Sequence, residues 1–356
     1  MFRWVGLAIV ALSVTFIAMP TGRYLLRGAW EEGKILLRRR PIPRVIADTA
    51  TDVATRSRLQ LVLDARTFAA RDLALRAGES FTTYTPLEHD TLVLVVSAAP
   101  RDRLVSYTWW FPIVGRVPYK GFFDFHGALA LAEQLQKQSM DTYVRPASAL
   151  STLGWFNDPL LSTTLELDTL SLANTVIHEL THNTVFVPSQ VTFNESLASF
   201  VGGRGAVAFF RARGSTVAAT RAERRWEDEK LMASFWSAAQ RAIDSAFAAH
   251  PDDQAARLTA RDTVYAHLRR VLMDDLAPSM RTYSPKSLER IPLDNASLLA
   301  HKVYAADLWL FDEVLTRNRG DLRRSVAVIA RIARGAKDPF AALHAWLETS
   351  GPSLTP

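Results

Sequence analysis

The stretch at 175–184, T-V-I-H-E-L-T-H-N-T, constrains the chain more than any other. His178 and His182 stand four residues apart, with no proline or glycine between them. A helix sets such a pair on one face, about 6 Å apart, where two imidazole nitrogens can hold one Zn2+. Glu179, one residue further on, then points to the side of the ion. There it can take a proton from water without ligating the metal. The chain is therefore expected to place a helix here, buried on one side and open to a reactant on the other.

A hydrolytic zinc site needs a third protein ligand and an open fourth position. The chain has no cysteine, so that ligand must be a histidine or a carboxylate. The continuation that would bring a third histidine soon after the motif is missing, because Val185 and Pro188 occupy its positions. Between His182 and Glu223 there is no further histidine and one acid, Glu195, in F-N-E-S-L-A. The intervening chain, with Pro188 in it, is long enough to turn back antiparallel. Elimination thus makes Glu195 the third ligand, with Asn194 beside it to cap or orient the start of the next helix.

With these residues in place, the sequence resembles the gluzincin metallopeptidases. Through 115–124 (G-R-V-P-Y-K-G-F-F-D) and 151–163 (S-T-L-G-W-F-N-D-P-L-L-S-T) it resembles, more closely, the bacterial predicted aminopeptidase family. The resemblance covers most of the chain after about residue 40. It implies a zinc-dependent peptidase of the cell envelope in a Gram-negative bacterium, with a peptide as substrate. Two departures stand out. Many members of the family look like lipoproteins with a cysteine at the signal boundary, and this chain has no cysteine. The wider gluzincins often carry an acid four residues beyond the glutamate ligand, where this chain has Ser199.

The remainder of the chain organises around that centre. Residues 1–21 read as a signal peptide or signal anchor, apolar from 5 to 19, and imply export to the periplasm or attachment to the inner membrane facing it. Residues 22–90 read as helical, 91–167 as a small α/β sheet region, and 168–356 as the helical catalytic region. The expected class is α+β: a small mixed sheet, a zincin-like metal helix and a large, mainly helical C-terminal half. Helix breaks are expected near Gly202–Gly205, Pro251, Pro285, Pro292 and Gly320. The chain carries 42 Lys and Arg against 36 Asp and Glu, and the arginines read as scattered, which argues against a nucleic-acid partner.

Hydrolysis also needs a donor for the developing oxyanion. Tyr304 is the preferred candidate, with His301 on the same downstream segment. Trp155, Asn157 and Asp158, in the segment leading to the metal helix, are candidates for binding substrate. Two other functions use the same residues: a cell-wall peptide amidase or endopeptidase, and a non-catalytic zinc-binding envelope protein.

Overall fold

The computed structural model describes residues 19–87, 93–111, 115–147, 159–303 and 306–349. Helix α1 (Pro20–Leu37) leads into a two-residue strand β1 (Arg40–Pro41), a short helix α2 (Ile42–Ala47) and helix α3 (Val53–Arg71). The first helix ends at Leu37, ahead of Pro41 in β1, and Pro43 falls in the first turn of α2, where its missing N–H costs nothing. The helical pattern expected to continue through 45–75 breaks at 48–52. Asp48 accepts a hydrogen bond from the Ala50 N–H at 3.0 Å and pairs with Arg40 at 2.9 Å, so a local turn wins over the helix. Asp52 then restarts it, accepting from the Thr55 N–H at 2.9 Å as N-cap.

The sheet region is three small sheets, in agreement with the α+β class. Strand β2 (Thr83–Thr85) pairs antiparallel with β1 and parallel with β8 (Leu160–Leu161), and this is the mixed sheet. Strand β3 (Val93–Pro100) is the centre of an antiparallel sheet between β6 (Lys120–Phe122) and β7 (Met140–Ala147). Between β3 and β6, β4 (Trp109–Phe111) and β5 (Gly115–Val117) form a separate hairpin. Both faces of β3 are covered, which explains its unbroken apolar run. Val93 and Val95 meet Ile35 and Leu161, while Val96 meets Ala128 and Ala132 of helix α4 (Phe125–Lys137). The turn α5 (Ser162–Leu165) then leads to the helical half.

Four helices make the layer that carries the motif. Helix α6 (Thr169–Thr184) packs against α3 on one side and α7 (Val191–Ala212) on the other, and α7 packs against the long helix α8 (Thr216–Ala248). The main core lies between them, with Phe193, Phe200, Leu172, Ile177, Leu180 and Leu197 fully buried. A second core forms where the far end of α8 meets α9 (Gln254–Arg270) and the short helices α10 (Pro285–Glu289) and α11 (Asn295–Lys302). Helices α12 (Leu308–Arg317), α13 (Leu322–Ala333) and α14 (Pro339–Thr349) close the main core.

No helix break occurs at Gly202–Gly205, because α7 runs straight through. Tertiary approach explains these glycines: a Cβ on Gly203 would come within 2.5 Å of the Trp226 ring, and one on Gly205 within 2.8 Å of Ile177. Glycine lowers helix propensity, but here it lets three helix backbones come close together. Among the described residues no helix is long and apolar enough to cross a membrane. The candidate signal or anchor segment lies outside the described residues, apart from its last members.

Candidate metal centre

Helix α6 is built to hold its histidines still. Asp168 caps it by accepting from the N–H groups of Leu170 (3.0 Å) and Ser171 (3.1 Å), and Arg225 donates to the Ser171 hydroxyl at 2.7 Å. Leu172, Ala173, Val176, Ile177 and Leu180 bury one face without remainder. The opposite edge carries His178, Glu179 and His182, each half-buried. The chain leaves the helix through Val185 in extended conformation.

The return is pinned at the third ligand. Asn194 accepts from the Val187 N–H at 2.9 Å and donates to the Val187 carbonyl at 2.8 Å, closing the 185–190 loop onto the first turn of α7. Its neighbour Glu195 therefore starts from a fixed backbone. On the other side of Glu195, the Ser196 hydroxyl accepts from the Ala306 N–H at 3.0 Å, fastening the segment after α11 to the same turn.

Three side chains converge as a result. The Nε2 atoms of His178 and His182 lie 3.2 Å apart, and the Glu195 oxygens lie 3.4 Å from His178 and 3.6 Å from His182. A tetrahedral ion with bonds of about 2.0–2.2 Å has ligand atoms about 3.3–3.6 Å apart. Two of the three edges fall in that range and the third is about 0.1 Å short of it, so the donor set fits a zinc-sized ion and leaves one corner for a reactant. Among the described residues this is the group of His, Asp and Glu side chains able to hold an ion.

The electrostatics agree with a site made for a cation. Burial opposes a charge on Glu195, but hydrogen bonds from His178 and His182 and their positive charge bring its pKa down to about 2. Burial opposes protonation of His182 too, yet the Glu195 hydrogen bond and the charges of Glu195 and Glu179 raise its pKa. The carboxylate of Glu179 makes no hydrogen bond or ion pair among the described residues and lies within electrostatic reach of His182.

One residue not singled out from sequence enters here. Tyr119, between β5 and β6, is 48% exposed, and its phenol pKa is raised by partial desolvation and then by the negative charge of Glu195, with Arg145 opposing. A neutral phenol thus stands within electrostatic reach of the third ligand, brought there by the β3–β6 pairing from 76 residues away. The only sequence signal was its place in the quoted stretch 115–124. His301 stacks on Trp236 with ring centroids 4.5 Å apart and lies beside Tyr143. Tyr304, Trp155, Asn157 and Asp158 lie outside the described residues.

No curated protein and no solved structure matches the chain. A family model described as "Putative aminopeptidase" matches residues 23–341. That span takes in the four-helix layer, the sheet region and all three convergent ligands, and the chain belongs to this aminopeptidase family.

Proposed function

We propose that the protein is a zinc-dependent aminopeptidase of gluzincin type, in which His178, His182 and Glu195 hold the ion and Glu179 is the general base. The observation that carries this reading is the 3.2–3.6 Å convergence of two imidazole nitrogens and one carboxylate, next to the Glu179 carboxylate, which has no hydrogen bond or ion pair among the described residues. A zinc ion bound there would supply Lewis acidity, polarising the scissile carbonyl and lowering the pKa of a water. The Glu179 carboxylate accepts a proton from that water as its oxygen attacks the carbonyl carbon. It then gives the proton to the departing nitrogen as the C–N bond breaks. Tyr119, kept neutral, can donate its O–H to the oxyanion, a role shared with or taken by Tyr304. We also propose that the enzyme acts in the periplasm, exported or anchored through residues 5–19.

The test combines metal analysis of the purified chain with turnover of a panel of free-amine and amine-blocked peptides. The reading expects one zinc per chain and cleavage of free-amine peptides, with Glu179→Gln retaining zinc and losing about 100-fold or more in kcat. A chain that binds no zinc overturns it. Blocked peptides cut equally well would leave the mechanism and remove the aminopeptidase label in favour of an endopeptidase or cell-wall amidase.

A further inference from the structure

Helix α1 has one face committed and one face bare. On the committed side, Tyr24 packs against Phe111 and Phe122 at 5.6 and 5.8 Å, and Ile35 is buried against Val93, Val95 and Leu161. On the bare side stand Leu26, Trp30 and Leu37, 45%, 68% and 89% exposed. Their spacings of four and seven residues bring them within about 40° of one line along the helix. Met19, 52% exposed, extends the stripe beyond the N-terminal end.

Charge says what covers this stripe. Arg23, Arg27 and Lys34 line one flank of it, roughly 40–80° round the helix from its centre. Glu31 pairs with both Arg27 (3.3 Å) and Lys34 (2.5 Å), which leaves this flank positive. Residues 20–40 carry six cations (adding Arg38, Arg39 and Arg40) against two acids, Glu31 and Glu32. Four of the chain's six excess positive charges therefore sit in this one segment. The arginines are less scattered than their number along the chain suggests.

An apolar stripe holding a tryptophan, with cations beside it, is the pattern of a helix lying in a membrane interface. Sequence continuity favours the same occupant, because the uncharged stretch 4–22 runs directly into this helix. A second copy of the chain is a poor match. A coiled-coil seam through Leu26, Trp30 and Leu37 would also run through Arg23 and Gly33, where it needs apolar side chains. We propose that α1 lies flat on an anionic phospholipid surface, with Met19, Leu26, Trp30 and Leu37 entering the acyl boundary and Arg23, Arg27 and Lys34 meeting the lipid phosphates. This inference does not rest on the peptidase reading and stands or falls separately from it.

The absence of cysteine makes the test clean, because single labelling sites can be introduced one at a time. The full chain, spin-labelled at Leu26→Cys, Trp30→Cys or Leu37→Cys, is reconstituted in vesicles of phosphatidylcholine with phosphatidylglycerol and in pure phosphatidylcholine. Val217→Cys, on a 75% exposed residue of α8, is the reference. Accessibility to oxygen and to a water-soluble nickel chelate reads depth. In anionic vesicles the three stripe labels are expected about 5–10 Å below the headgroup level, and the Val217 label in water. Combining Arg23→Glu, Arg27→Glu and Lys34→Glu should return the Trp30 label to water while leaving the circular-dichroism spectrum and thermal midpoint in detergent unchanged. Stripe labels as open to the nickel chelate as the Val217 label overturn the proposal. So does equal burial in neutral vesicles and after charge reversal, which would remove the anionic partner. Dipolar broadening between labels on separate copies in the absence of lipid would overturn it in favour of self-association.

Discussion

Gly202 is the position at which helix packing and ligand geometry can be separated experimentally. A methyl group there would overlap the Asn174 Oδ1, and it would sit 3.1 Å from the Asn174 carbonyl oxygen and 3.1 Å from the His178 Cβ. The amide oxygen can swing away at little cost. The backbone oxygen and the His178 Cβ cannot, so α6 and α7 must part by a few tenths of an ångström to restore ordinary contact. Metal sites tolerate ligand errors of about 0.2 Å, and Glu195 lies on the same face of α7 two turns from Gly202. Alanine also brings about 1 kcal/mol of helix propensity, against an overpacking cost of about 1–3 kcal/mol. Gly202→Ala should therefore cost the metal-free chain between about 0 and 2 kcal/mol and weaken zinc binding about tenfold or more. Gly203→Ala is the control. Its methyl meets the Trp226 ring at 2.5 Å, and that ring is fully buried and hydrogen-bonded to Asp312 at 3.0 Å. It should cost about 2 kcal/mol of stability with a smaller effect on zinc. Urea denaturation of the apo chains and chelator-competition titration measure the two effects. If Gly202→Ala simply gains helix stability and keeps its zinc affinity, close approach at this glycine does not set the ligand geometry.

Three further outcomes are expected. Asp312 receives Arg204 (2.7 and 2.6 Å), Lys230 (2.7 Å) and Trp226, and Lys230 is only 3% exposed. Asp312→Ala should cost about 3 kcal/mol by chemical denaturation, the low end for a broken buried pair because Glu223 and Glu227 still reach the two cations, and a loss under 1 kcal/mol would contradict this. Tyr119→Phe should lower kcat about tenfold or more with zinc content unchanged, and unaltered turnover would leave the oxyanion to another group. Two half-buried groups should give opposite pH slopes. Burial, followed by the charge of Arg145, lowers the His301 pKa to about 4, so its contribution is full above the ordinary 6.5 and is lost as pH falls toward 4. Burial raises Glu229 to about 7, helped by Asp228 and opposed by Arg225, so its contribution is full below about 4.5 and is lost as pH rises through 7. Relative to wild type, His301→Phe should gain stability as pH falls from 6.5 to 4, and Glu229→Gln as it rises from 5 to 8, each by at most about 3 kcal/mol. Parallel profiles for wild type and variant would refute the assignment.

That His178, His182 and Glu195 come together was legible because it depends on local facts. The i, i+4 spacing of His178 and His182 needs only a helix, and a lone acid before Glu223 left Glu195 without a rival. The α+β class followed from patterns of the same range. What was hidden depends on distant chain. Gly202, Gly203 and Gly205 read as a break because propensity is a local quantity, whereas the contacts that use them come from Asn174, Trp226 and Ile177. Tyr119 had no periodicity to mark it, and only strand pairing sets it near Glu195. Among the described residues of the apolar stretch 104–111, the strand is limited to Trp109–Phe111, because its partner is a three-residue hairpin arm. The positive charge looked diffuse when averaged over the chain, and it took the orientation of α1 to give it a face.

The Asn194 clamp has a consequence for how the protein is made. All three ligands belong to one helical hairpin, within 18 consecutive residues from His178 to Glu195. The loop between the helices is closed by its own amide side chain. Gathering these ligands requires no contact from the last third of the polypeptide, and the entropy of closing so short a loop is small. The three side chains can therefore come together before α8 and the later helices exist to bury the hairpin, and the rest of the fold then closes over a cluster already gathered.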